Sequence, residues 1–248
     1  MAAFSTLTNL LRHHAGKLTG RSAGLANTPN SASSSASPFR IGMVLTLDPT
    51  PFILGGAALR IKQPDLDTTD SVVAVGQLSG LNAGASKSIY RLYFGDRSNW
   101  LNVVASDSGD VEECRFFQTL DEVHPANAAE WEFWLGAADG YIGYPQFQTR
   151  DGTMWTRHWN QGQTRIAPLE VREVVRSLEG HVQTSLTRKH TTMLYSRATE
   201  LTDPCPTGEF LMVSAIETGA SGRPGASSHA CIQMSVGIDI NEASLSLS

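Results

Sequence analysis

Short runs of alternating apolar and polar residues, separated by turn residues about ten positions apart, dominate this sequence. In the first run, from Phe39 to Leu47, every second residue is large and apolar. A period of two places successive side chains on opposite faces, which is typical of a β-strand with one buried face. The predicted strands are 39–47, 59–62, 72–78, 89–94, 100–105, 111–118, 147–149, 153–159, 169–176, 181–185, 191–197, 210–217 and 230–240.

One helix interrupts these strands. Asn127 is a favourable N-cap, Glu130 three positions later completes a capping-box pattern, and Gly136 follows as a stop signal. The predicted fold class is therefore α+β and β-rich, with mostly antiparallel sheets of about twelve strands and one or two short helices. Residues 39–240 form either one globular domain or two half-domains joined at 127–145.

The dipeptide Asp151-Gly152 lies between two predicted strands. Asp-Gly is favoured in type I′ hairpin turns because both central residues of that turn have positive φ. The sequence therefore predicts a tight type I′ turn at this position.

Composition excludes several classes of protein. A hydrophobic fraction of 41% excludes a wholly disordered chain, and a net charge of -5 disfavours a nucleic-acid binder with a basic surface. No apolar run approaches the ~20 residues that a membrane-spanning helix needs. Three cysteines make no disulfide framework, so we expect a cytoplasmic protein.

The N-terminal region differs from the rest in charge. Residues 1–47 contain no Asp or Glu. We predict a basic amphipathic helix over 1–18, a Ser/Ala-rich flexible linker over 19–38 and a short tail at 241–248. This helix has two alternative roles. It packs on its own domain, or it is a docking element that binds either a protein partner or the surface of an anionic inner membrane. Its predicted docking residues are Phe4, Leu7, Leu11, Arg12, Lys17 and Leu18.

Catalytic and metal-binding motifs are missing from the sequence. There is no nucleophile elbow, phosphate-binding loop or paired C-x-x-C. His229 and Cys231 share a strand face but are too few to hold a metal. The group Asp121, Glu122 and His124 has no accompanying nucleophile and is interpreted as a turn. We therefore predict no catalytic residue, no metal and no cofactor.

A second candidate surface comprises Trp155, Arg157 and Trp159. These residues alternate, so their side chains leave one face of a predicted strand. They form either a stacking platform for a ligand or partner, in which Arg packs over indole rings, or a core face with Arg at its edge.

The order of several short motifs resembles a known family. The motifs are FRIGMVLTLDPTPF (39–52), YRLYF (90–94), DEVHPANAAEWEFWLG (121–136), GYIGYPQF (140–147), DGTMWTRHW (151–159), MLYSR (193–197) and EFLMVSAIE (209–217). They look like the YjfK-like family, a bacterial family of unknown function. The resemblance implies a partner of the phage-shock-protein-A type and a place in an envelope-stress or peptide-modifying system, but no catalytic residues.

Two functions from different classes follow. The first is a non-enzymatic adaptor, in which a β-rich domain binds a protein partner and the basic helix provides a second attachment. The second is a hydrolase or a peptide-ligation-assisting enzyme, with an active site built from residues scattered over the strands. A deep polar pocket favours the enzyme, and an exposed apolar groove or open sheet edge favours the adaptor.

Overall fold

Strands account for most of the regular structure. The computed structural model describes residues 37–64, 70–80, 87–106, 108–219, 229–241 and 245–247. Its strands are β1 Val44–Leu47, β2 Asp70–Ser79, β3 Lys87–Phe94, β4 Asn99–Ser106, β5 Val111–Val123, β6 Gln146–Gln148, β7 Met154–Arg157, β8 Leu169–Glu179, β9 Val182–Ala198, β10 Gly208–Thr218, β11 His229–Ile240 and β12 Leu245–Leu247. The helices are α1 Thr50–Gly55 and α2 Ala128–Leu135, with a 3₁₀ turn at Gly56–Ala58. The β-rich fold class is thus confirmed.

Eight strands close into an antiparallel barrel. Their order is β2-β3-β4-β5-β11-β10-β9-β8, and β8 pairs back onto β2. The other four strands extend this sheet: β12 and β1 join the beginning of β2, and β6 and β7 join the end of β9. Strands from both sides of the segment 127–145 belong to the barrel, so this segment connects two parts of one sheet.

One side-chain contact identifies the barrel interior. Nη2 of Arg91 on β3 lies 3.2 Å from the sulfur of Met212 on β10. Going round the barrel in either direction, three strands separate β3 from β10. Such a contact is possible only if both side chains point inward. Because side chains alternate along a strand, every second residue of β3 and β10 shares this direction.

Two layers cover the outside of the barrel. On one side the chain from Phe39 to Ile61 packs on the central strands, with the ring of Phe52 5.7 Å from that of Phe116 on β5. On the other side β6 and β7 place Phe147 over β9, where its ring lies 5.2 Å from that of Tyr195. The barrel wall is therefore buried on both faces over much of its area.

Several predicted boundaries are wrong. The predicted strands 181–185 and 191–197 are one continuous strand, β9, because residues between them pair with both β8 and β10. Strand β5 runs to Val123, so Asp121 and Glu122 lie in a strand and not in a turn. The predicted tail 241–248 contains β12, which pairs with β1.

The N-terminal covering segment also differs from its prediction. Only Val44–Leu47 of the predicted strand 39–47 is a strand, since Gly42 turns the chain with φ +88°. The predicted strand 59–62 forms no strand pairing. Instead, the backbone N–H groups of Arg60 and Ile61 donate to the buried carboxylate of Glu209 on β10, at 2.6 and 2.9 Å.

The predicted N-cap of α2 is confirmed, and the reciprocal bond of Glu130 goes to the residue before the N-cap. Oδ1 of Asn127 accepts the backbone N–H of Glu130 at 3.0 Å, and the Glu130 carboxylate accepts the N–H of Ala126 at 2.9 Å. Two otherwise unsatisfied donors at the helix start are thereby bonded. Neither described helix is long and apolar enough to cross a membrane.

The predicted type I′ turn is wrong in its details. The N–H of Gly152 donates to the carbonyl of Thr149, which centres the turn on Arg150 and Asp151. Neither central residue has positive φ, whereas Gly152 has φ +84°. This is the pattern of a type I turn followed by a glycine in the left-handed region.

We expect Gly152→Val to lower the free energy of unfolding by about 1–2 kcal/mol, because a β-branched residue is strained at positive φ. A Cβ at this position would meet no atom within 4 Å, so the expected loss comes from backbone strain and not from a clash of the Cβ. The midpoint of urea unfolding measures the effect. Gly152→Asn is the matched control, since Asn tolerates positive φ and should cost less. Equal midpoints for Gly152→Val and the wild type would contradict the assigned turn.

Candidate ligand-binding site in the barrel interior

A buried carboxylate lies at the centre of the barrel interior. Glu173 on β8 is fully buried and accepts a hydrogen bond of 2.6 Å from the hydroxyl of Tyr93. Its other oxygen lies 2.8 Å from Nε2 of His190 on β9 and 3.7 Å from Nη1 of Arg91. Two strands, β3 and β9, thus supply partners to one side chain on β8.

These partners keep Glu173 ionised. Burial acts to raise its pKa, but the positive charge of Arg91 and the hydrogen bonds from His190 and Tyr93 outweigh burial and lower the pKa to about 2. Burial and the charge of Glu173 raise the pKa of Tyr93, so the phenol keeps its proton. The group therefore contains a carboxylate, a phenol and a guanidinium at neutral pH.

The tautomer of His190 follows from this charge state. Burial lowers the pKa of His190, and the positive charge of Arg91 lowers it further. The hydrogen bond to Glu173 acts to raise this pKa but does not outweigh them. The imidazole is therefore neutral at neutral pH. An ionised carboxylate can only accept, so Nε2 of His190 carries the proton and Nδ1 has a free lone pair.

A glycine on β2 makes room for the buried carboxylate. Gly76 lies between β3 and β8 and pairs with Arg91 on one side and Val175 on the other. A Cβ at Gly76 would lie 2.0 Å from Oε1 of Glu173. The missing side chain allows Glu173 to reach across β2 toward Tyr93.

A cavity of about 300 Å³ opens beside this group, at the end of the barrel where β3 turns into β4. Residues of β3, β4, β5, β9, β10 and β11 line it, together with the turn 96–98. Its arginines are Arg91, Arg97 and Arg188, and its acids are Asp96 and Glu122. Since Arg91 is also balanced by Glu173, neither sign of charge dominates the cavity.

Four polar atoms in the side chains that line this cavity have no hydrogen-bond partner among the described residues. They are Nε1 of Trp100, Oγ1 of Thr119, Nε of Arg188 and Nδ1 of His190. In the described part of the chain only one other buried side-chain atom, Nε1 of Trp159, shares this condition. Buried polar groups in proteins are normally paired, so the concentration of four in one cavity wall indicates a place for a polar ligand.

A second and larger cavity, of about 920 Å³, lies outside the barrel beside α2 and β6. The exposed rings of Phe133 and Tyr144 line it, as does Arg157. Its lining residues carry none of the unpartnered buried atoms found in the described chain. The observations therefore favour the barrel cavity as the candidate site.

The predicted surface of Trp155, Arg157 and Trp159 is buried, with exposed fractions of 1%, 2% and 4%. The guanidinium of Arg157 donates to the carbonyls of Gly143 and Thr164, at 2.6 and 2.8 Å. The three side chains belong to the layer that covers β9. Their arrangement corresponds to the core-face alternative and not to an exposed stacking platform.

The other predictions concern the N-terminal docking residues, metal binding, and the residues His124 and Cys231. The predicted docking residues within 1–18 and most of the linker 19–38 lie outside the described residues. Within the described ranges no group of three or more His, Cys, Asp or Glu side chains could hold a metal ion. His124 pairs with Glu122 at 3.0 Å, and burial raises the pKa of the Cys231 thiol to about 11.

Sequence reasoning missed all four residues of the buried group. Arg91, Tyr93, Glu173 and His190 come from three strands and form no motif along the chain. One signal was present: Glu173 stands between Val171 and Val175 on the apolar face of a predicted strand. A charged residue in such a position is seldom buried unless it is paired, so it marks an interior polar group.

Comparison with known proteins gives a family match. The family described as Protein of unknown function (DUF2491) matches residues 18–246. No curated protein matches the chain. No solved structure matches it either.

We expect Gly76→Ala to lower the free energy of unfolding by about 1–3 kcal/mol, the usual range for overpacking a core. The new methyl group would collide with Glu173 and displace its carboxylate. Gly208→Ala is the matched control, because the nearest atom to a Cβ there is 3.4 Å away and φ is not positive. Equal losses in urea unfolding for both variants would contradict the close approach at Gly76.

Stability should fall as the pH drops from 7 to 5, in part because of His190. Its folded pKa lies below the ordinary value of about 6.5, so between these two pKa values the unfolded chain binds up to one proton more than the folded chain. One such proton costs about 1.4 kcal/mol for each pH unit. Of the groups facing His190, Glu173 titrates at lower pH, Tyr93 and Arg91 titrate at higher pH, and the guanidinium of Arg188 also lies nearby.

Unfolding by urea at several pH values measures this slope. His190→Gln should make it shallower, because a glutamine can donate to Glu173 without binding a proton. His181→Gln, at an exposed position, should leave the slope unchanged. A slope in His190→Gln as steep as in the wild type would show that His190 is not the group responsible.

Proposed function

We propose that this chain, which belongs to the DUF2491 family of proteins of unknown function, binds a small oxyanion-bearing molecule in its barrel cavity. The observation that carries this proposal is the concentration of four unpartnered buried polar atoms in one cavity wall. A cavity of about 300 Å³ is at the small end of the range for ligand pockets. The ligand is therefore a small metabolite-sized molecule rather than a folded partner.

The chemistry of the unpartnered atoms supports an oxyanion. An indole Nε1 and a guanidinium Nε are donors that cannot accept, so Trp100 and Arg188 both need an acceptor from the ligand. A carboxylate or phosphate oxygen is such an acceptor, and its bond to a charged guanidinium is stronger than a neutral one. Arg97, in the turn at the cavity rim, offsets the negative charges of Asp96 and Glu122 in the same lining.

Entry of the ligand needs a small movement of the wall. The four atoms are themselves buried, although their side chains line the cavity. Arg188 is only partly buried, and its guanidinium lies 5.8 Å from the Tyr93 ring centroid. The proposal requires that rotation of this long side chain brings its Nε to the ligand and also uncovers the buried nitrogen atoms of Trp100 and His190.

A second candidate function is hydrolysis, which the pairing of His190 with Glu173 favours. A neutral imidazole oriented by a carboxylate can act as a general base through its free nitrogen. In that function Nδ1 of His190 would take a proton from a water molecule. Turnover of p-nitrophenyl acetate by the wild type, lost in His190→Gln, would favour hydrolysis over binding alone.

The adaptor function stays a prediction. Its docking residues within 1–18 lie outside the described residues. Only the family resemblance implies a partner of the phage-shock-protein-A type. Only the helix pattern implies peripheral contact with the inner membrane. A binding protein with a ligand-filled barrel is compatible with such an accessory role. The larger cavity beside α2 is the surface that would then be available to a partner.

Binding can be tested by NMR with acetate and inorganic phosphate, at an ionic strength held constant with sodium chloride. We expect the indole N–H resonance of Trp100, assigned with Trp100→Phe, to move with either anion. The resonance of Trp155 should stay in place, since its indole N–H already donates to Thr149 at 3.2 Å. A Trp100 resonance that neither anion moves would contradict the proposal.

A variant pair makes the same test quantitative. Arg188→Gln should weaken the affinity for the bound anion at least about fivefold, as expected for a lost charge-assisted hydrogen bond. Arg172→Gln removes an exposed arginine on β8 and should leave the affinity unchanged. Equal losses in both variants would mean that the anion responds to overall charge and not to this cavity.

A further inference from the structure

We propose that the molecule bound in the barrel cavity is a hydroxycarboxylate, whose carboxylate meets Trp100 and Arg188 and whose hydroxyl donates to Nδ1 of His190. This inference rests on the proposed binding function and specifies the chemical class of the ligand. It follows from the hydrogen-bonding roles of the cavity wall.

The first step concerns the acceptor in the wall. Nε2 of His190 lies 2.8 Å from the carboxylate of Glu173, which also receives the Tyr93 hydroxyl and faces Arg91. The proton of the neutral imidazole is therefore held on Nε2. Nδ1 is left as a buried acceptor with no partner in the described part of the chain.

The second step concerns complementarity. Trp100 and Arg188 each have a buried donor without a partner in the described chain, and His190 has a buried acceptor in the same condition. A simple oxyanion satisfies the two donors but leaves Nδ1 of His190 unpaired. A molecule with both an oxyanion and a hydrogen-bond donor satisfies all three, and the hydroxyl of Thr119 can either donate or accept beside them.

The third step decides which donor the ligand carries. Burial is the largest effect against a positive charge at His190, and the positive charges of Arg91 and Arg188 add to it, while Glu173 acts in the opposite direction. An ammonium group placed against Nδ1 would meet the same repulsion. A neutral hydroxyl meets none, so a hydroxy acid fits this position better than an amino acid.

Three probes that differ at one group test this inference: acetate, glycolate and glycine. Isothermal titration calorimetry on the full chain at neutral pH gives their affinities. Glycolate should bind about fivefold more tightly than acetate, the usual gain from one added hydrogen bond. Glycine, with an ammonium in place of the hydroxyl, should bind no more tightly than acetate.

The ¹⁵N resonance of His190 Nδ1 gives a second measurement that needs no variant. Glycolate should move it and acetate should not, because only glycolate offers a hydroxyl to this nitrogen. In His190→Gln, the ratio of the glycolate affinity to the acetate affinity should fall toward one.

The outcomes separate the two proposals. Acetate and glycolate that bind equally, with the Nδ1 resonance unmoved, would overturn the hydroxycarboxylate inference and leave oxyanion binding in place. Glycine binding more tightly than glycolate would overturn it as well. Absence of binding by acetate, glycolate and phosphate would overturn the binding function itself.

Discussion

The ionised carboxylate of Glu173 determines how the barrel interior is organised. A buried charge is tolerated only when paired, and Glu173 obtains its partners from Arg91, Tyr93 and His190. The same pairing fixes the guanidinium of Arg91 across the barrel against Met212 and the tautomer of His190. Strand β8 carries Glu173 and also closes the barrel by pairing with β2. The same strand therefore supplies the central charge of the interior and the last pairing of the sheet.

Hydrophobic burial, in contrast, lies largely in the barrel wall and the layers outside it. Phe52 packs on one side of the wall and Phe147 on the other. An arginine supports each layer in a different way. Arg197 on β9 joins the first layer to the barrel by donating to the Ala58 carbonyl and to Glu209, whereas Arg157 holds the second layer together by donating to the carbonyls of Gly143 and Thr164. With the wall supported from outside, the interior can contain polar side chains and a cavity. The candidate site thus depends on packing that it does not itself provide.

The sequence predicted local features well and their assembly less well. Alternation located most strands, and the capping box of Asn127 and Glu130 located α2, because both depend on neighbouring residues. It could not show that β8 returns to β2, since that pairing joins distant segments. It also could not show that Trp155 and Trp159 are covered, because burial depends on the outer layer. The cavity group was missed for the same reason: its members share a place only after the barrel closes.

The pairing of β2 with β8 has a consequence for how the chain folds. Gly76 and Val175 are Cα partners, although about 100 residues separate them along the chain. Bringing such distant segments together costs more loop-closure entropy than forming the neighbouring hairpins β3-β4 and β4-β5. Non-local pairings of this kind slow folding, so we expect the hairpins to form early and the barrel to close late. Until it closes, the edges of β2 and β8 remain open to pairing with other chains.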